Sequence, residues 1–214
     1  MKTLICADSI PWLAEHRDVG AIITSLPDAY EMEMEVDDWS VWFLQAVEQC
    51  MLSASPRSAA IFYQTDRKVD GRWESKAFRL FAVAFKVGMH CVWHKIVLRH
   101  VAGKRDLFRP GFTHMIAFSR EMKSGAPSAD VMQGGTRIYG NAMGIKAARI
   151  AIDFVRGTAP MIVDPFCGRG TVCAVADALK INSIGLDIDP HQIFRAKNLV
   201  VDYDLTGDLV VVQT

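Results

Sequence analysis

The chain has 214 residues, half of them apolar, and its 24 basic and 24 acidic side chains leave a net charge of zero. A chain of this size and apolar content can bury one substantial core, so a single domain over 1–214 is expected, and any nucleic-acid partner must be held by a local patch rather than by overall charge. No apolar run reaches the roughly 20 residues of a membrane helix, and Met1-Lys2-Thr3-Leu4-Ile5-Cys6 is interrupted by Asp8 too early for a signal peptide, so a soluble cytoplasmic protein with no membrane partner is expected.

The five cysteines (Cys6, Cys50, Cys91, Cys167, Cys173) are odd in number, scattered and without C-x-x-C spacing, which points to buried free thiols rather than to disulfides or zinc. Leu4–Ala7 reads as a short strand ending at Asp8-Ser9, and Ile10–Arg17 as a helix with Ile10, Leu13 and Ala14 on one face. Ala21–Thr24 is a second buried strand, ending in Ser25-Leu26-Pro27-Asp28-Ala29-Tyr30. The acidic run Glu31, Glu33, Glu35, Asp37, Asp38 reads as a solvated loop, with Asp37-Asp38 as N-cap of a helix from Trp39 to Ser53. A strand over Ala59–Gln64, a loop, a helix over Glu74–Val87 and a strand over Cys91–Val97 follow.

Basic residues concentrate between His94 and His114: Lys95, Arg99, Lys104, Arg105 and Arg109 face a single acid, Asp106. Clustered cations on a glycine- and proline-containing loop suit phosphate contacts; an ordinary solvated loop is the alternative. His94, His100 and His114 lack metal-ligand spacing, and no metal is expected. Met115–Phe118 is a strand, Ser119–Gln133 a polar loop, and Gly140–Gly144 leads into a helix over Ile145–Val155 with Ile150, Ala151 and Phe154 on its face.

The most informative stretch is Met161–Asp189. An apolar strand, Met161–Val163, passes through Asp164-Pro165 into Phe166-Cys167-Gly168-Arg169-Gly170 and then a helix over Thr171–Leu179. Glycines at a strand-to-helix junction let backbone approach a ligand at the helix N-terminus. A second strand, Ser183–Leu186, ends in Asp187, an acid placed to accept from both hydroxyls of a ribose. The unit reads as a nucleoside-binding βαβ half. Gly168-x-Gly170-x-x-Cys173 is an imperfect dinucleotide fingerprint, but a dinucleotide fold starts with this turn, whereas most of this chain precedes it. Pro190–Leu199 is a closing helix, and Leu209–Val212 a candidate edge strand.

The wording Asp164-Pro165-Phe166-Cys167-Gly168-Arg169-Gly170-Thr171 resembles the DPFxGxGT S-adenosylmethionine (SAM) loop of the amino-methyltransferases. Cys6-Ala7-Asp8-Ser9 and Val19–Asp28 are similar to the opening of the beta-class, circularly permuted members, in which the catalytic strand precedes the SAM loop. The resemblance extends from Cys6 to Leu199. It implies a three-layer α/β/α, Rossmann-like class I SAM methyltransferase fold, circularly permuted, around a mixed, mostly parallel sheet. It also implies that SAM is held by Asp164, Pro165, Phe166, Cys167, Gly168 and Gly170, by Asp187 and Ile188 at the ribose, by Asp8 at the adenine end and by Lys146 beside the methionine moiety. The family's Ser/Asp/Asn-Pro-Pro-aromatic acceptor turn becomes Ser25-Leu26-Pro27-Asp28, with Tyr30 as a replacement ring. Catalytic roles are thus expected for Ser25, Pro27, Asp28 and Tyr30, while Asp28 as a plain turn residue stays open.

The expected reaction is methyl transfer to a nucleic acid. RNA, such as tRNA, is favoured over DNA because Ser119–Gln133 is too short for an inserted target-recognition domain, and a small catalytic domain can read folded RNA by shape. A small-molecule or protein acceptor, and a non-catalytic SAM-fold subunit of a methyltransferase complex, are the alternatives. A homodimer and a partner subunit both stay open.

Overall fold

Two faces of one sheet organise the core. The computed structural model describes residues 1–69, 71–101, 103–104, 109–123 and 128–213. In chain order the strands and helices are β1 (Lys2–Cys6), α1 (Ser9–Glu15), β2 (Ala21–Thr24), α2 (Val36–Ser53), β3 (Ala60–Gln64), β4 (Arg67–Val69), β5 (Arg72–Glu74), α3 (Lys76–Lys86), β6 (His90–Leu98), β7 (Phe112–Ser119), β8 (Val131–Gln133), α4 (Ile145–Val155), β9 (Met161–Asp164), α5 (Thr171–Ala178), β10 (Asn182–Asp187), α6 (Pro190–Asn198), β11 (Val200–Tyr203) and β12 (Leu209–Gln213).

Eight strands form the main sheet in the order β1-β10-β9-β2-β3-β7-β6-β8. The run from β1 to β3 is parallel; β7 pairs antiparallel with both β3 and β6, and β8 closes the edge parallel to β6. Every residue of β2 and β3 is buried, as continuous apolar runs covered on both faces require. One face packs Leu13 of α1, Trp39, Phe43, Val47 and Met51 of α2, and Leu80 and Val83 of α3. The other packs Ala147, Ala151 and Val155 of α4 against Val172 and Val175 of α5. This is the three-layer α/β/α arrangement expected.

The topology also locates a crevice. From β9 the chain crosses through α5 to β10 on one side, and from β2 through α2 to β3 on the other, so the crossovers diverge between the adjacent strands β9 and β2. Open parallel sheets bind ligands outside the carboxyl ends of strands at such a switch point.

Several local expectations change. The acidic run contains a single 3-10 turn, Ala29–Glu31, and α2 begins at Val36, so Asp37 and Asp38 lie inside its first turn and favour the positive end of the helix dipole instead of capping it. The loop after Gln64 contains the β4–β5 hairpin, and the polar segment after Ser119 contains β8. Leu209–Val212 does not extend the main sheet: β12 pairs with β11 in a separate hairpin. Cys50, Cys167 and Cys173 are buried free thiols, whereas Cys6 and Cys91 are exposed. Among the described residues, no helix is long and apolar enough to cross a membrane, and no group of three His, Cys, Asp or Glu is placed to hold a metal ion.

Candidate functional site

At the switch point, Thr24 ends β2 and Asp164 ends β9, and the Thr24 hydroxyl donates to Asp164 Oδ1 at 2.7 Å. Asp164 also accepts from the Phe166 amide at 3.4 Å. Burial nevertheless disfavours its charge and raises its pKa to about 7. The chain then turns through Gly168 (φ +51°) and Gly170 (φ +80°), left-handed conformations that suit glycine, into α5. Asp187, at the end of β10, accepts from the Gly168 amide and the Asp189 amide, each at 2.9 Å. Its pKa is raised, chiefly by burial, although those bonds oppose the shift.

A cavity of about 550 Å³ opens above these strand ends, with Asp8, Trp42, Tyr139, Phe166, Gly168 and Asp187 on its walls. Asp164, Cys167 and Ile188 line it as well. Asp8 is both wall and N-cap of α1, accepting from the Ile10 amide at 3.0 Å. Trp42 meets Phe166 edge-on with ring centroids 5.6 Å apart. The volume, the acid at a strand end, and the backbone amides of a glycine turn fit an adenosine-bearing cofactor.

Three residues expected at the cofactor are placed otherwise. Lys146 stands on the exposed face of α4 and does not line the cavity, because Ile145 and Ala147 occupy the inward positions of that turn. Pro165 does not line it either; its carbonyl accepts from the buried Ser9 hydroxyl. Gly170 serves helix packing, since a Cβ there would lie 2.8 Å from Ala196 Cβ of α6. At Gly168 the neighbouring space belongs to protein: a Cβ would meet the Tyr139 hydroxyl at 2.7 Å. Tyr139, whose ring lies 4.6 Å from the Arg169 guanidinium carbon, was not foreseen, nor were Trp42, Asn141 and Met143. The signal for Tyr139 was its place just ahead of Gly140–Gly144, the lead into α4.

Ser25, Leu26, Glu31 and Asn141 also line a second, smaller cavity of about 50 Å³ on the acceptor side. The expected acceptor turn borders it, but from Leu26 onward the turn's polar groups are engaged within the protein, while Ser25 faces both cavities. Asp28 forms an ion pair with the buried Lys76 ammonium and its other oxygen lies 4.0 Å from Arg109. The Pro27 carbonyl accepts from Trp39 Nε1 at 3.0 Å, and the Leu26 carbonyl from Gln64 Nε2 at 3.4 Å. Tyr30 lines neither cavity; it is about half exposed, and its hydroxyl accepts from Arg109 at 2.9 Å and Asn141 at 2.8 Å.

Lys76 arrives there because Asp66 fixes the start of α3. Asp66 accepts from the Lys76 amide at 2.8 Å, from Trp73 Nε1 at 2.9 Å, and lies 3.2 Å from His114 Nε2. Burial opposes its ionisation, but these bonds prevail and hold its pKa at about 2. Burial lowers the Lys76 pKa, and Asp28 opposes that shift.

The basic segment divides. Lys95 is almost fully buried, donating to the Ser128 and Ala129 carbonyls at 2.8 and 3.2 Å, so it is a structural tether and not a phosphate contact. Arg99 and Arg109 line the smaller cavity. Lys104 is exposed, and Arg105 lies outside the described residues.

Sheet order, helical layers and a cofactor-sized cavity at the switch point together define a class I, Rossmann-like methyltransferase fold. Comparison with known proteins agrees. Residues 157–198 match the N6/N4 methyltransferase family, described as DNA methylase. Over 46 residues the chain is 48% identical to the type II methyltransferase M.BsoBI of Geobacillus stearothermophilus, a match spanning 21% of this chain and 9% of that relative. The TTHA0409 protein of Thermus thermophilus, described as a DNA modification methylase and solved with S-adenosyl-L-methionine, superposes with a TM-score of 0.72 at 13% identity, covering 92% of each chain. The cytosine-N4-specific PvuII DNA methyltransferase gives 0.74 at 14% identity over 92% of this chain and 85% of that one. The sequence resemblance to N4/N6 DNA methylases is therefore shown at the glycine loop, and the shared fold extends over nearly all of the chain.

Proposed function

We propose that this chain is a SAM-dependent methyltransferase acting on nucleic acid, with DNA in place of the RNA favoured from sequence. The carrying observation is the cavity of about 550 Å³ at the switch point, bordered by Asp8, Phe166–Gly168 and Asp187 and sharing Ser25, Leu26, Glu31 and Asn141 with the acceptor-side cavity. DNA is preferred because the matching family model and the solved neighbours are described as DNA methylases or DNA methyltransferases; the RNA preference rested on the absence of an inserted domain.

Bound SAM would supply an activated methyl on a sulfonium, transferred in line to the acceptor. The residues of this chain provide position. Asp187, oriented by the Gly168 and Asp189 amides, has lone pairs left for ribose hydroxyls. Phe166, braced by Trp42, offers an apolar wall, and Asp8 a polar rim. Ser25, facing both cavities, is the side chain of the acceptor turn best placed to orient the incoming group.

A second reading, a non-catalytic SAM-fold subunit, is favoured by the internal engagement of Asp28, Pro27 and Leu26. Calorimetry with S-adenosylhomocysteine, repeated on Asp187→Ala, tests the cofactor site: micromolar binding lost in the variant is expected. Tritiated-SAM labelling of DNA, RNA and extract from cells lacking the protein then decides between the readings. Label in DNA supports the enzyme, label in RNA restores the RNA acceptor, and none in any fraction favours the subunit.

A further inference from the structure

Helix α3 is apolar on two faces. Ala77, Leu80, Val83 and Ala84 are buried in the core. Phe78, Phe81, Ala82 and Phe85 recur at the i, i+3, i+4, i+7 spacing of a second stripe, and this one faces outward. Its three phenylalanines are 74, 38 and 88% exposed. A helix that is apolar all round is ordinarily a buried one, so this stripe has the composition of a covered surface. It also continues sideways. Phe81 meets the His94 ring of β6 edge-on with centroids 6.1 Å apart, and the sheet face carrying His94 runs on through Ile96 to its register partner on β8, the exposed Val131.

Three properties of the stripe select a second copy of this chain as its cover. The first is its pattern. Reversal about the midpoint of the stripe exchanges Phe78 with Phe85 and Phe81 with Ala82. When two such helices lie antiparallel, Phe78 packs on the partner's Phe85, and Phe81 packs over the partner's Ala82, a large side chain against a small one at both central contacts. The second is charge. The stripe carries none, and the charged groups on its flanks are answered within the chain, Arg79 by Glu74 at 2.9 Å and Lys86 by Glu48 at 2.8 Å. An identical surface therefore meets no unanswered like charge along it. The third is area. The exposed parts of the three rings amount to about two whole phenylalanines, roughly 300–500 Å² per copy, and two copies supply half or more of the roughly 1,200 Å² at which stable interfaces begin. The flank through Ile96 and Val131 adds to this. We propose that the outer face of α3 is the interface of a symmetric homodimer, with the two α3 helices antiparallel about a two-fold axis between Phe81 and Ala82. The inference does not rest on the methyl-transfer reading.

Sedimentation velocity of the full chain over roughly 1–100 μM tests it. A reversible dimer is expected, with its association weakened about tenfold or more by Phe85→Asp and, separately, by Phe78→Asp. Leu205→Asp, at an exposed apolar residue in the β11–β12 turn, should leave association unchanged. Phe78 and Phe85 are exposed, and an acid at position 78 falls in the first turn of α3, where the helix dipole favours it, so the variants should keep the native circular dichroism. Cross-linking then reads the pairing, in a Cys6→Ser/Cys91→Ser background that removes the exposed thiols. Ala82→Cys, beside the axis, should oxidise to a disulfide-linked dimer, because closely packed helices bring such positions within the roughly 4.4–6.8 Å Cα separation a disulfide needs. Phe78→Cys should not, because position 78 lies opposite position 85 and so stands about 10 Å along the helix from its own copy. A chain that stays monomeric throughout the concentration range overturns the proposal, and so does a dimer that both aspartate variants leave intact. Failure of Ala82→Cys to link, or linkage of Phe78→Cys at an equal rate, overturns the antiparallel two-fold arrangement.

Discussion

Asp28 and Lys76, far apart in sequence, meet in an ion pair whose ammonium is almost wholly buried, so the carboxylate at the acceptor turn is occupied by a cation of the protein itself. Removing one charge of such a pair strands the other in a poorly solvated place, which is costlier than never having built the pair. Asp28→Asn should therefore destabilise the fold by about 3 kcal/mol, measured by urea unfolding. The double variant Asp28→Asn/Lys76→Met should recover much of that loss. A plain turn residue would tolerate Asn with almost no change, so an unaltered unfolding midpoint would return Asp28 to that role.

This pairing explains which parts of the site were legible in sequence. The glycine loop, Asp187 and the strands around them are contiguous, and their chemistry is written in short runs of residues. Lys76 had no local signature: it sits at the first turn of α3, and its neighbours in sequence say nothing of Asp28. Lys95 was legible in principle. Trp93, Lys95 and Val97 recur at the period of a strand and share the buried face of β6, which a reading of basic residues as a cluster overlooks. The short strands β4, β5 and β8 escaped because three residues give too little alternation to distinguish pairing from loop.

Asp164 gives the fold a pH dependence with a definite sign. Folded, it keeps its proton to about pH 7, whereas unfolded it releases it near its ordinary value of 3.8. Between those values the folded state binds more protons, so this group's contribution to stability falls as pH rises and levels off above about 7. The steepest loss is on the order of 1.4 kcal/mol per pH unit. Asp164→Asn retains an oxygen for Thr24 and removes the titration. Unfolding free energies from pH 4.5 to 8 should show a wild-type-minus-variant difference that declines through this range; a flat difference would contradict the buried, neutral state.

The basic segment should separate into structural and contact residues. Lys95→Met removes the ammonium that holds the Ser128 and Ala129 carbonyls and should lower stability by about 1–3 kcal/mol, leaving those acceptors unmet. Lys104→Ala, at an exposed position, should leave stability within about 0.5 kcal/mol. If DNA is bound, the Lys104 variant should reduce the slope of log affinity against log salt by about 0.9, as loss of one phosphate contact does. Fluorescence anisotropy across a salt series reads this; an unchanged slope would place Lys104 away from the DNA.

Gly168 and Tyr139 make the last prediction. Gly168 has a left-handed backbone, and its missing Cβ leaves room for the Tyr139 hydroxyl, which borders the larger cavity from the segment before α4. Burial raises the Tyr139 pKa to about 12, so the phenol stays protonated at neutral pH. Gly168→Ala faces two separable penalties: about 1–2 kcal/mol for a left-handed alanine, and a collision that must push Tyr139 from its place. Adding Tyr139→Phe removes the oxygen that the new methyl meets but leaves the backbone penalty. The single variant should weaken S-adenosylhomocysteine binding by about tenfold or more if Tyr139 is driven into the cavity, and the double variant should regain part of that affinity while remaining less stable than wild type. Calorimetry and thermal unfolding on the three proteins separate the effects. Equal affinities in the single and double variants would show that Gly168 matters through its backbone alone.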